Sequence, residues 1–211
     1  MPYLHSYVTQ HVGNRLIYDE LDYNADTEQE NFLNLFTNLT DEQRSIFDKI
    51  MEVINKQRGC VFFLHDYGGT GKTFMWRTLS SALRSEKKIV LTVASSGIAS
   101  LLFPGGRTSH SKFKIPVPTL DNSTCNIDKD AEHSQLFEAT NFIIWDEAPM
   151  AHKTCFEALD KTLKDVMGKK DLANTIFDGK VVVFGGDFRK ILPVVPRVGH
   201  FDIVHTSIYS S

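Results

Sequence analysis

The sequence predicts an α/β domain, a mostly parallel sheet with helices on both faces. Two observations carry this. Short apolar runs alternate with stretches of helical periodicity, and the runs are continuously apolar rather than alternating, the pattern of strands buried on both sides. A third sets the size: 211 residues, 42% of them hydrophobic, suffice for one such domain and its core.

The elements follow in order. Residues 1–38 are polar and weakly periodic, with the acidic stretch "DELDYNADTEQE", and read as an N-terminal arm or linker that packs on the domain only in part. From residue 39 the pattern changes. Phe47, Ile50, Met51 and Ile54 fall at i, i+3, i+4, i+7, the buried face of a helix, and Thr40 with Gln43 forms a T-x-x-Q capping box at its start. "CVFFLH" (60–65) reads as a strand, "KTFMWRTLSSALRS" as a helix, "KIVLTVAS" as a second strand and "GIASLLF" as a short helix. A loop rich in Pro, Thr, Asn and Asp fills 114–130, and a helix spans about 131–139. "NFIIWDE" is a third strand, "KTCFEALDKTLKDVM" a helix and "KVVVFGGD" a fourth strand. Ligands of such sheets sit at the carboxyl ends of the strands.

Composition narrows the function. A formal net charge of −3 advertises no global nucleic-acid binder, so any such contact must come from a local patch. The runs "EKK" and "GKK" read as solvated helix ends or turns. Cys60, Cys125 and Cys155 lie far apart with no C-x-x-C pair, which fits reduced thiols in an intracellular compartment. The first residues carry neither a secretory nor a transit pattern, and no apolar run is long enough to span a membrane.

Between the first strand and its helix stands "GGTGKT". Gly68, Gly69, Thr70 and Gly71 can turn backbone N–H groups onto phosphate oxygens, where the helix N-terminus adds partial positive charge. Lys72 would reach the β and γ phosphates of ATP, and the Thr73 hydroxyl would ligate Mg²⁺. The alternative is a glycine-rich turn that merely joins strand to helix. A phosphate loop needs a metal-ordering carboxylate, and "FIIWDEAPM" supplies one at a strand end: Asp146 would hold Mg²⁺ through water, and Glu147 would polarise the attacking water.

Together with "VASSGIASLLFPGGRTSHSKFKIP" and "VVFGGDFRKILPVVP", these blocks resemble the petite-integration-frequency family of superfamily-one DNA helicases, in its plant-like, transposon-related branch. The resemblance covers about residues 38–200. It implies a RecA-like first motor domain over 39–211 that binds ATP and single-stranded DNA and moves five-prime to three-prime. It also implies a nuclear protein of recombination, repair and telomere maintenance. By the same resemblance Gln43 is the adenine-reading glutamine, which competes with its capping role unless the side chain is shared. Thr108, Ser109, His110 and Ser111 would donate hydrogen bonds to DNA phosphates, Phe113 would stack on a base, and Asp187 would sit beside the γ phosphate.

Three departures from the family pattern bear on activity. Asp66 replaces the glycine that opens the loop. At about 7 Å from a phosphate charge and an effective dielectric of about 20, its carboxylate would repel by roughly 2 kcal/mol. Lys190 stands where the family's "GDFRQ" has a γ-phosphate-sensing glutamine, and lysine donates but cannot accept, which predicts retained ATP binding with impaired hydrolysis. The family's second motor domain is expected to be missing; Arg189 and Arg197 lie on the same domain as the loop and are no obvious substitute for its transition-state arginine. The leading expectation is a Mg²⁺-dependent helicase-family ATPase module, with a protein partner as a possible source of the second motor domain. The alternative is a nucleotide- or DNA-binding module without catalysis. An unrelated P-loop kinase would leave "GGDFRKILPVV" and "GGRTSHS" as coincidences.

Overall fold

The computed structural model of the chain describes residues 13–57, 59–65, 71–168 and 175–187. Its elements are α1 (Arg15–Leu21), α2 (Ala25–Phe36), α3 (Asp41–Asn55), β1 (Cys60–His65), α4 (Lys72–Ser85), β2 (Ile89–Ala94), α5 (Gly97–Ser100), β3 (Arg107–Thr108), α6 (Ser109–Phe113), α7 (Glu132–Ala139), β4 (Thr140–Asp146), α8 (Lys153–Met167) and β5 (Val181–Gly186), with 3₁₀ turns at Ala148–Met150 and Ile176–Gly179. All strand pairs are parallel, in the order β1-β5-β4-β2-β3. The α/β class read from the sequence therefore holds, with a short fifth strand, β3, that two residues could not announce.

Pleating divides the strands between two cores. Leu91, Val93, Ile143, Trp145, Val182 and Phe184 face α7 and α8. There Trp145, Phe156 and Phe184 form an aromatic cluster with centroids 4.6 and 5.2 Å apart. Val90, Phe142, Ile144, Val181 and Val183 face α3 and α4 on the other side. β2 and β5 are buried at every residue, whereas β1 alternates and leaves Val61 and Phe63 more than a third exposed. Continuous burial thus holds for β2 and β5 and not for β1, one of the two edge strands among the described residues.

The N-terminal segment corrects the reading of an arm or linker up to residue 38. Over the described residues 13–38 it is two helices built into the domain. Asn14 caps α1 through Oδ1, which accepts from the Leu16 and Ile17 N–H groups, while its Nδ2 donates to the Glu132 carbonyl at 2.8 Å and to Gln135 Oε1 at 2.9 Å. α2 lies along α4, and Phe32 and Phe36 close on Phe47 of α3 at 5.8 and 5.3 Å. The Arg84 guanidinium sits 4.0 Å over the Tyr23 ring, a cation–π contact that fastens the α1–α2 link to the end of α4.

Candidate nucleotide site at the carboxyl edge of the sheet

Register brings the candidate residues to one edge. His65 pairs with Gly186, Trp145 with Phe184 and Ala94 with both Asp146 and Thr108. The ends of all five strands therefore form one rim. Asp146 and Asp187 lie on it, each only 5% exposed. Thr108 stands two strands from Asp146, about 10 Å at ordinary strand spacing.

Gly71 opens α4 at φ +95°, ψ 14°, a conformation that excludes most side chains, and no side chain caps this 14-residue helix. Lys72 and Thr73 occupy its first turn, half-buried. The leading N–H groups of a helix have no intrahelical partner and favour an anion. Gly68, Gly69, Thr70 and Asp66 lie outside the described residues, as does Lys190.

Gln43 makes the contacts of its capping reading. Its Oε1 accepts from the Thr40 N–H at 3.1 Å and Thr40 Oγ1 accepts from the Gln43 N–H at 3.2 Å, a complete capping box. The other end of the same amide reaches Gly71: Nε2 is 2.7 Å from where a Cβ on that glycine would stand. One side chain both caps α3 and borders Gly71 at the head of α4.

The candidate pair, Asp146 and Glu147, has neighbours that spacing alone did not reveal. The indole N–H of Trp76 donates to Asp146 Oδ1 at 3.1 Å, deep in the fold. The residues after β4 turn sharply: Glu147 adopts φ 51°, ψ 39°, and Pro149 packs into the space left by Gly186, where a Cβ would lie 2.2 Å from its Cδ. Gly185 leaves room for Trp76 in the same way. The "GG" before Asp187 is thus two close approaches. A Gly-Gly pair at a strand end was the available signal.

The segment proposed to follow DNA is divided. Thr108 caps α6, accepting from the Ser111 N–H at 3.4 Å, and Ser111 is exposed. Arg107 and Lys114 are exposed as well. His110 turns inward, its Nε2 3.8 Å from Cys155 Sγ, and burial lowers its pKa from the ordinary value. Ser109 and Phe113 are fully buried. Phe113 packs against Phe137 and Trp145 at 5.8 and 5.5 Å, so its ring belongs to the core and offers no face to a base. This corrects the stacking and donor readings for those two residues. The cause is the periodicity of a five-residue helix, which puts Ser109 and Phe113, four apart, on one inward face.

Among the described residues no group of three or more His, Cys, Asp or Glu could hold a metal by protein ligands alone, and no helix is long and apolar enough to cross a membrane.

The family model of the PIF1-like helicases matches residues 38–211, most of the chain. The chain belongs to the PIF1-like helicase family. It is 28% identical over 157 residues to the ATP-dependent DNA helicase Pif1 of Campylobacter jejuni, covering 71% of this chain and 32% of that protein. It is 28% identical over 158 residues to the ATP-dependent DNA helicase PIF4 of Trypanosoma brucei brucei, covering 73% and 18%. Among solved structures, Bacteroides Pif1 in complex with ADP-AlF3 and single-stranded DNA superposes with a TM-score of 0.61 at 26% identity, over 79% of this chain and 36% of that one. Unliganded Bacteroides Pif1 gives 0.58 at 27%, over 79% and 35%. The chain thus spans about a third or less of the length of these PIF1-like relatives.

Proposed function

We propose that this chain is an ATP-binding motor domain of a five-prime to three-prime DNA helicase of the plant-like PIF1 branch. Its chemistry is water attack on the γ phosphate of ATP. The observation that carries the reading is the convergence at one strand edge of the Gly71–Lys72–Thr73 helix start with Asp146, Glu147 and Asp187. This is where a parallel sheet receives a nucleotide. Lys72 binds the β and γ phosphates and Gln43 reads the adenine, a role supported by the family resemblance and by its position beside Gly71. The residues present fit Mg²⁺, since Thr73 and Asp146 offer hard oxygen donors and such ions are held by one or two protein ligands together with phosphates. When bound, Mg²⁺ neutralises charge on the transferring phosphoryl group. Glu147 orients the attacking water and accepts its proton, while the bond from the γ phosphorus to the bridging oxygen of ADP breaks. Thr108 and Ser111, with the exposed Arg107 and Lys114, form the candidate contact to single-stranded DNA phosphates.

The relatives' names and the ligands of the Bacteroides complex support ATP and single-stranded DNA as partners. Nuclear location, roles in recombination, repair and telomere maintenance, and a partner supplying a second motor domain follow from the family resemblance and belong to the proposal. The second reading, binding of nucleotide or DNA without hydrolysis, is favoured by Asp66 and Lys190, both unlike the family pattern.

The test is ATP hydrolysis by the purified chain with and without single-stranded DNA, with Lys72→Ala as blank. DNA-stimulated hydrolysis absent from the variant is expected. Nucleotide binding with no hydrolysis above the blank would select the second reading.

A further inference from the structure

We propose that Trp76 is a positioning residue for Asp146: its indole N–H fixes the metal-ordering carboxylate and ties it to the helix that carries Lys72 and Thr73. The inference rests on the nucleotide-site reading above.

Three elements meet at this point. Trp76, on α4, is fully buried, and its N–H donates to Asp146 Oδ1 on β4 at 3.1 Å. Gly185, on β5, supplies the slot: a Cβ there would lie 2.4 Å from Trp76 Cζ2 and 3.1 Å from Asp146 Oδ1. The glycine, the indole and the carboxylate therefore define one another's positions. Packing alone would be served by phenylalanine or leucine. An indole brings a buried donor that must find an acceptor, and the one it finds is the carboxylate on the catalytic edge.

Sequence spacing gives the bond its consequence. Trp76 follows Lys72 by four residues, so the two lie one turn apart on one face of α4. The helix that presents Lys72 and Thr73 to a nucleotide thus also holds Asp146. With Oδ1 held, the carboxylate plane is set before the metal arrives, and loss of such outer contacts typically costs 10–100-fold in metal affinity. The chain contains its own control. Trp145 is equally buried, but its N–H donates to Ser95 Oγ at 2.9 Å.

Binding of fluorescent mant-ADP is measured while MgCl₂ is titrated. Trp76→Phe, folded by circular dichroism, is expected to raise the Mg²⁺ concentration at half-effect by about 10-fold, with metal-free mant-ADP affinity kept within about twofold. An unchanged Mg²⁺ midpoint, alongside Lys72-dependent binding by the wild type, overturns the inference alone. Wild-type protein that binds no mant-ADP, or binds it independently of Lys72, overturns the nucleotide reading and this inference with it. A second arm needs no change at Trp76. In ¹⁵N-indole-labelled wild type, with the Trp145 resonance assigned by its response to Ser95→Ala, adding Mg²⁺ to the ADP complex is expected to shift the Trp76 N–H resonance more than that of Trp145. A Trp76 resonance that stays put overturns the proposal even if Trp76→Phe does not fold.

Discussion

Gln43 and Gly71 meet at the head of α4, the glutamine Nε2 standing 2.7 Å from the place a Cβ on Gly71 would occupy. The contact links the cap of α3 to the start of α4, because the same amide accepts the Thr40 N–H. Gly71→Ala would meet both obstacles, a positive φ and an occupied space. The backbone cost is about 1–2 kcal/mol, so the thermal midpoint should fall by about 3–6 °C. The Gln43 amide can swing aside, which keeps the loss in this range. Scanning calorimetry checks it, and a drop of under about 1 °C would mean that neither constraint is felt.

The parts of the molecule that were legible in sequence are those with a strong local signature. The capping box, the buried face of Phe47, Ile50 and Ile54 and the apolar runs of β2, β4 and β5 appear where pattern places them. α2 was hidden because it buries no residue fully; it is held by the half-buried Phe32 and Phe36 against Phe47, contacts that depend on a partner helix. The inward turn of Ser109 and Phe113 was likewise invisible in a stretch too short to show a period. Trp76 and Asp146 are seventy residues apart, and only the fold reveals their bond.

Glu20 on α1 and Lys112 on α6 form an ion pair with side chains 11% and 12% exposed. Removing one partner from so sheltered a pair strands the other charge, at a cost on the order of 3 kcal/mol. Glu20→Ala should therefore lower urea stability by that order, whereas Glu20→Leu combined with Lys112→Met should recover most of the loss. A single variant as stable as the wild type would show that water already reaches the pair.

Thiol reactivity should rank the three cysteines by burial. Burial pushes the Cys125 thiol up to about 11, against the lowering effect of Thr162, and burial also raises Cys155. Cys60 is half-buried on β1. At pH 8 the thiolate fraction of Cys125 is on the order of 10⁻³. An aromatic disulfide reagent should label Cys60 in the native protein, and label Cys125 and Cys155 only in denaturant. Rapid native labelling of Cys125, read by mass spectrometry, would contradict its burial.

The acid limb of stability should report His110 and His133. Burial lowers the pKa of His110, and burial followed by the charges of Lys114 and Lys112 lowers that of His133. Above the ordinary histidine value near 6.5 both rings are neutral in either state, and stability does not depend on them. As pH falls through that value the unfolded chain takes up protons first, so the native state loses stability until pH passes the lowered native values. Below them, folded and unfolded chains are protonated alike and the loss levels off. His110→Gln, which keeps a polar group near Cys155 without a titrating ring, should flatten the fall in urea midpoint between pH 7.5 and 5.5. His133→Gln should flatten it separately. Parallel pH profiles for both variants and the wild type would show that neither ring is desolvated by the fold.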